Sequence, residues 1–498
     1  MDRRNKLYLN TLTSFLNQIV ALICGFILPR YILAYFGSDV NGLVSSITQF
    51  LGIISFLELG IGPVIQSNLY EPLANRDKTT ISKIIVSAEK FYRKIAYIFL
   101  VYIVILIPIY SILQSTFDFW FTASLMAIIA ISTFAQYYFG ITYQVFLSAD
   151  QKAYVHTTVQ LITTVLNTAL CVLLMRLNCG IHIVKLASAI VFVIRPLVQN
   201  IYVRKKYDID RKIKYTEEPI KQKWNGFAQH LATVVMLNVG AIVLTLFASY
   251  QSVSIYSVYL LVVNGITNLI MTSTTVIQAF WGDMIARKED ELLLKTFEGV
   301  ECAIHAGVTL LYVATAILIA PFISVYTKGV QDHAAYYVPL FGMLLTFAYA
   351  ARCLRIPYFD MVKAAGHHKE TQNGAFIAMA LSIIVSILLV FKFELVGVAI
   401  GTMIAMLFHT IYFAWYLRKN ILNRPIKHIL LHLGVDIIVG ILGFIATGWL
   451  EMKDTTYAAW IIYAIIVTLI VSGICVVFNF AIYRKEFLYL IKKVLKKA

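Results

Sequence analysis

The stretch TYAAWIIYAIIVTLIVSGICVVFNFAIY (456–483) runs 28 residues without a charged side chain, and Arg484 and Lys485 follow at once. About 20 apolar residues in a helix cross the hydrocarbon of a bilayer, so this run can span it with room for tilt. Working outward, thirteen further runs of the same kind lie at 9–35, 41–69, 92–113, 117–148, 153–176, 181–203, 226–249, 253–283, 298–325, 334–362, 369–391, 395–417 and 429–450. The whole chain of 498 residues has the same character: 60% hydrophobic, 14% charged, mean hydropathy +0.77. Soluble domains carry about 25% charged residues. The figures exclude a soluble, disordered, fibrous or disulfide-framework protein and predict an all-α polytopic membrane protein of about fourteen transmembrane helices. Arg3, Arg4 and Lys6 look like the basic start of a signal peptide. The apolar run after them is too long for a cleaved segment, and a second comes directly after it, so the first span is expected to be retained.

The net charge of +16 would point to nucleic acid in a soluble protein. Here the positive residues fall in the short segments between apolar runs. With fourteen spans, the loops sharing a side with both termini hold 33 Lys and Arg, the opposite loops hold 5, and 4 lie within spans. That is the positive-inside pattern; it predicts cytoplasmic N- and C-termini and no nucleic-acid partner. The six cysteines form no CxxC pair and read as reduced, small apolar residues.

The longest basic link, 204–225, follows the sixth span and divides an N-terminal six-helix half (1–203) from a second one (226–418). A weak repeat agrees. At an offset of 211 residues Phe36 falls on Phe247, Ser38 on Ser249, Ser46 on Ser257, Arg76 on Arg287 and Lys152 on Lys363. Halves of equal orientation are related by an axis along the membrane normal, and substrate usually binds between them. Two extra spans (419–483) and a tail (484–498) remain. The tail alternates Phe487, Leu488 and Ile491 with Lys492, Lys493 and Lys496, as a basic amphipathic helix on the inner leaflet lipids would.

The outer loops are short and carry isolated acids, with no paired carboxylates and no HExxH or other metal spacing. No GxxxxGK[ST] segment provides for ATP, and no filter motif marks a channel. An enzyme, a metal site and a bound cofactor are therefore not expected; transport is. Intramembrane charges are costly and should face an interior. Arg352 and Arg355 share a helix face, two planar donor forks suited to a phosphate or diphosphate, with Pro357 to open the backbone beside them. Ion pairing with Glu58 or Asp360, or snorkelling to the headgroups, are the structural alternatives. Arg30 after Pro29 either turns inward at a kink or anchors the outer interface. Arg195 before Pro196 either faces a cavity or pairs structurally.

Glu58 shares a helical face with Ser55 and Gly62. It is a candidate for coupling to H+ or Na+, or the counter-ion of a buried arginine; Asp360 and Asp436 are candidates of the same kind. His305 and His409 are lone intramembrane histidines and read as hydrogen-bonded in packing rather than as titrating groups. Asn17 belongs to a polar stripe on the first span with Asn10 and Ser14. Gln136, Gly140, Tyr143 and Gln144 share a face in the fourth span, for sugar contact or for hydrogen bonds between helices.

The strings YFGSDVNGLVSSITQFLGIISFLELGIGPVIQSNLYEPLANRD (35–77), AAGHHKETQN (364–373) and VGVAIGTMIAM (396–406) resemble bacterial polysaccharide repeat-unit flippases of the multidrug/oligosaccharidyl-lipid/polysaccharide exporter superfamily. The resemblance implies two pseudo-symmetric six-helix lobes around a central cavity, alternating access, and residence in a bacterial plasma membrane. It implies an undecaprenyl-diphosphate-linked oligosaccharide as substrate, carried from the inner to the outer leaflet, with a polysaccharide polymerase and glycosyltransferases as partners. Cavity cations would hold the diphosphate, a role that falls to Arg352, Arg355 and Arg30 here, with Arg195 as a further candidate. Spans thirteen and fourteen would offer a groove for the lipid tail. Drug exporters of the superfamily carry an acid in the first span; this chain has Arg30 there and no acid. A cation-coupled multidrug exporter is the alternative reading.

Overall fold

The computed structural model describes residues 3–58, 60–113, 116–220, 227–274, 277–330, 332, 334–367 and 369–484. The amphipathic tail expected at 484–498 lies outside them but for its first residue. Among the described residues every regular element is helical. The elements are α1 (Arg3–Ile53), α2 (Ile61–Asn75), α3 (Lys78–Leu113), α4 (Phe119–Ala135), α5 (Ile141–Ala149), α6 (Ala153–Arg176), α7 (Ile181–Lys206), α8 (Phe227–Phe247), α9 (Tyr250–Thr274), α10 (Ile277–Ala286), α11 (Asp290–Tyr326), α12 (Pro339–Leu354), α13 (Ile356–Ala364), α14 (Gln372–Asn420), α15 (Lys427–Thr447) and α16 (Tyr457–Ile482). A 3₁₀ turn (Ile54–Glu58) follows α1 and a π-helical turn (Gln136–Gly140) joins α4 to α5.

Twelve stretches are long and apolar enough to cross a membrane, and two of them are double. α1 contains span one and the first part of span two, broken at Gly37, whose φ of 78° and ψ of 179° leave the helix; glycine takes that conformation without the Cβ clash other residues meet. α14 contains spans eleven and twelve, broken at Glu394 (φ 41°). Its arms pack against each other: a Cβ on Gly401 would stand 2.3 Å from Ser386 Oγ and 2.7 Å from its backbone nitrogen. Glycine is required there by close approach. Fourteen spans therefore fit the structure. Large apolar side chains such as Leu388, Phe391, Ile437, Ile441 and Leu469 stand exposed on the helices, as a lipid solvent requires and water would penalise.

Three predicted spans are interrupted. The second is divided by the 3₁₀ turn and by Gly60, which is left-handed. The eighth is two helices, α9 and α10, and the tenth breaks at Arg355 between α12 and α13. Pro357 lies in the first turn of α13, where a missing N–H is tolerated.

The chain forms two compact units, 1–234 and 235–498. The boundary falls inside α8 and not in the 204–225 link, because the link is strapped to the first unit. Asp208 pairs with Lys78 at 2.9 Å, the Asp210 backbone donates to Ser82 Oγ at 3.0 Å, Ser87 bonds Glu218, and Ile220 is buried. The first unit holds the first six spans and the start of the seventh, α8; the second holds the rest of α8 and the other seven, the last pair being α15 and α16. The repeat reappears in the helix ends: α2 stops at Asn75 and α10 at Ala286, the same 211 residues apart.

Candidate functional site

Two local irregularities face each other within the first unit. On one side, residues 136–140 are wound as a π turn. On the other, Pro196 lies inside α7 and has no N–H to give the Phe192 carbonyl one turn back. They touch at Gly140, where a Cβ would lie 2.8 Å from Pro196 Cβ. π turns of this kind recur at functional sites. Beside this contact opens a polar pocket of about 360 Å³.

Its wall draws on six elements. Arg195 comes from α7, lying over the Phe192 ring at 4.2 Å and donating to Thr163 Oγ1 at 2.6 Å and Thr164 Oγ1 at 2.8 Å. The π turn supplies Gln136, whose amide donates to Gln144 Oε1 at 3.2 Å, and Tyr137, whose hydroxyl donates to Glu58 Oε1 at 2.6 Å. His156 and Gln160 come from α6, and Gln199 from α7. Gln199 is 3% exposed, and its carbonyl oxygen has no hydrogen-bond partner among the described residues. An unmatched buried acceptor on a pocket wall is the kind of group a polar ligand satisfies. Amides, hydroxyls, an imidazole, one guanidinium and one carboxylate can both donate to and accept from a hydroxyl-rich molecule. The described lining residues hold one carboxylate, so the wall is not the carboxylate pair of a glycosidase.

Four residues expected from sequence thus meet in one place: Glu58, Gln136, Gln144 and Arg195. Glu58 arrives by a different geometry from the one expected. The 3₁₀ turn and left-handed Gly60 break the helical register between Ser55 and Gly62, so there is no shared face, and Glu58 makes no ion pair among the described residues. Tyr143 does not join the pocket. The π turn winds more residues per turn than an α-helix and shifts the phase of the helix beyond it, and Tyr143 is buried with its hydroxyl donating to Glu89. On α1, Asn17 and Arg30 are half-buried, and the backbone stays helical through Pro29 to Gly37. Asn10 is a structural staple, donating to Gln151 O at 3.1 Å and accepting from the Tyr154 backbone at 2.7 Å.

In the second unit Arg352 and Arg355 diverge. Arg352 is partly exposed and reaches Met271 Sδ on α9 at 3.7 Å. Arg355, at the α12–α13 break, is 8% exposed and donates to Nδ1 of His409 on α14, a buried and hydrogen-bonded histidine. Neither arginine makes an ion pair among the described residues, although Asp360 lies on the next turn, half-buried. Asp436 is held by His305 (2.6 Å) and Thr309 (2.6 Å), so His305 is hydrogen-bonded as well. Asp436 also borders an apolar groove of about 680 Å³ between α11, α12 and α15, lined by residues such as Val308, Phe347, Ile437 and Phe444. This groove uses span thirteen with spans nine and ten and Leu407 of span twelve, and no described residue of α16 lines it.

By sequence the chain matches no protein-family model and no curated protein. By structure it is similar to the lipid II flippase MurJ in an inward closed conformation, with 15% identity and a TM-score of 0.70 over 94% of this chain and 99% of that one. It is also similar to an inward-facing multidrug resistance MATE family transporter of the MOP superfamily (15% identity, TM-score 0.60, 80% and 94% covered). A third is the eukaryotic MATE transporter AtDTX14 (13% identity, TM-score 0.54, 86% and 99% covered). The chain shares the fold of these transporters.

Proposed function

We propose that this protein is a flippase that carries undecaprenyl-diphosphate-linked oligosaccharide units from the inner to the outer leaflet of a bacterial plasma membrane by alternating access, with cytoplasmic termini. The observation that carries the reading is the polar pocket of the first unit: an amide-rich wall with one guanidinium, sunk among membrane-spanning helices and holding an unmatched Gln199 carbonyl. Such a wall suits sugar hydroxyls. The similarity to a lipid II flippase, which extends over more of this chain than the similarity to the MATE transporters, supports a lipid-linked substrate. The groove beside α15 suits an isoprenoid chain.

In this reading Gln136, Gln144 and Gln199 bind sugar, and Arg195 orients the acidic or hydroxyl groups nearest it. Arg352 contacts the diphosphate, since its guanidinium is partly exposed and its contacts are a thioether and the Tyr349 ring. Arg355, engaged with His409, stands behind it. Arg30 is a further diphosphate candidate, and a polymerase and glycosyltransferases of cell-surface polysaccharide synthesis are the expected partners. The test is flipping of a fluorescent undecaprenyl-diphosphate oligosaccharide in proteoliposomes, with and without a proton or sodium gradient. Wild type should move it, and Arg352→Ala/Arg355→Ala should not. Absence of movement under any gradient, together with efflux of cationic dyes from cells, would favour a multidrug exporter instead, a reading for which Glu58 in the pocket is the relevant acid.

A further inference from the structure

A second polar cluster lies wholly inside the second unit and includes neither Arg352 nor Arg355. α11 presents Glu301, His305 and Thr309 at successive turns, and α15 presents His432 and Asp436 one turn apart. The turn before α15 brings in Arg424, and α13 brings in Tyr358. Arg424 Nη1 is 2.8 Å from Glu301 Oε2, and His432 Nε2 is 3.6 Å from the same oxygen. His305 Nδ1 is 2.6 Å from Asp436 Oδ2, Thr309 donates to Asp436 Oδ1 at 2.6 Å, and His305 Nε2 is 3.0 Å from the Tyr358 hydroxyl. The two imidazoles stack with centroids 4.7 Å apart, and His432 stacks on Tyr483. Glu301 is fully buried, and its Oε1 has no hydrogen-bond partner among the described residues.

The charge count does not close. The two carboxylates at the cluster's centre, Glu301 and Asp436, face one guanidinium, which leaves one negative charge in a low-dielectric place where an unpaired charge is costly. The remaining groups around it are Glu298 on α11, His428 on α15, and the Cys475 thiol and Tyr483 on α16 or just after it. None of them adds a fixed positive charge. One proton on the His305 ring balances Glu301 and Asp436 against Arg424; Glu298 is a third carboxylate, at the rim of the set and 31% exposed. The proton turns both ring nitrogens into donors, one to Asp436 and one to Tyr358, at the distances already present. Glu298 stands 4.0 Å from Arg424.

We propose that His305 and Asp436 form a proton-binding site that fastens α15 to α11. The step is the addition of one proton from water to the imidazole and its return, with no other bond made or broken. Because Asp436 also borders the apolar groove, proton occupancy and groove occupancy act on the same helix contact. The site does not depend on which substrate the protein moves. No group of three or more His, Cys, Asp or Glu among the described residues is placed to hold a metal ion.

The test is ring-¹⁵N-histidine NMR of the full chain in nanodiscs at pH 7.5. His305→Gln identifies the His305 signals among those of the ten histidines. Should that variant not insert, Thr309→Val marks the same signals by shifting them, since it changes only a hydrogen bond to Asp436. The expected result is an imidazolium at His305 in wild type that becomes neutral in Asp436→Asn. A neutral His305 ring in wild type, or an imidazolium that survives Asp436→Asn, would overturn the proposal.

Discussion

Removing Arg424 should be among the most damaging single changes in the second unit, although the residue sits in a turn. Its guanidinium lies 2.8 Å from the carboxylate of fully buried Glu301. At an effective dielectric of about 20 that separation corresponds to roughly 6 kcal/mol of gross attraction. Part of this is offset by desolvation, and breaking one side of a buried pair costs about 3–5 kcal/mol because the survivor is left uncompensated. His432, 3.6 Å from the same oxygen, can relieve some of that. Arg424→Met is therefore expected at the lower end, about 3 kcal/mol. Glu301→Gln with Arg424→Met removes both charges and should recover all but about 1 kcal/mol, since a neutral pair leaves nothing stranded. The assay is thermal unfolding in detergent with a thiol-reactive dye, because Cys302, Cys353 and Cys475 are free and buried and become reactive only on unfolding. A single variant as stable as wild type, or a double variant no better than the single, would refute the reasoning.

Arg195→Met should lower flipping at least about tenfold, a loss of about 1.4 kcal/mol, while the protein still inserts; initial flipping rates in proteoliposomes check this. Tyr143→Phe should cost about 1–2 kcal/mol by the same dye assay, from the lost bond to Glu89, yet leave flipping unchanged, because Tyr143 is outside the pocket. Gly140→Ala drives a Cβ against Pro196 and should destabilise by about 1–3 kcal/mol, with the pocket distorted and flipping reduced. Outside the membrane, Asp77 caps α3 by accepting from Thr80 Oγ1 (2.5 Å) and from the Thr79 and Thr80 backbones. The Thr80 hydroxyl above all holds its carboxyl below the usual carboxylate range. Its contribution should be complete above about pH 4 and fade as pH falls through the lowered value; in an acid titration of stability, Asp77→Asn should show a smaller loss at low pH than wild type.

How much of the protein was legible in its sequence depends on the range of the interactions behind each feature. The spans are a property of local composition, and runs such as 456–483 match α16 within a residue or two. Breaks at Gly37 and Arg355 were also within reach, since a glycine and a nearby proline mark them. Phase was not. The face shared by Gln136, Tyr143 and Gln144 assumed 3.6 residues per turn, and one π turn was enough to send Tyr143 elsewhere. The face assigned to Glu58 failed for the same reason, at a 3₁₀ turn and Gly60.

Pairing between distant segments was harder still. His305 and Asp436 are 131 residues apart, and Glu301 and Arg424 are 123 apart. One signal was present: Glu301, His305 and Thr309 repeat at i, i+4, i+8, as do His432 and Asp436 at i, i+4. Two polar stripes in otherwise apolar helices must be satisfied within the membrane, and each stripe is the other's partner. A lone intramembrane histidine is better read together with the polar residues one turn away, because in a low-dielectric interior a stripe of that kind implies a second stripe to meet it.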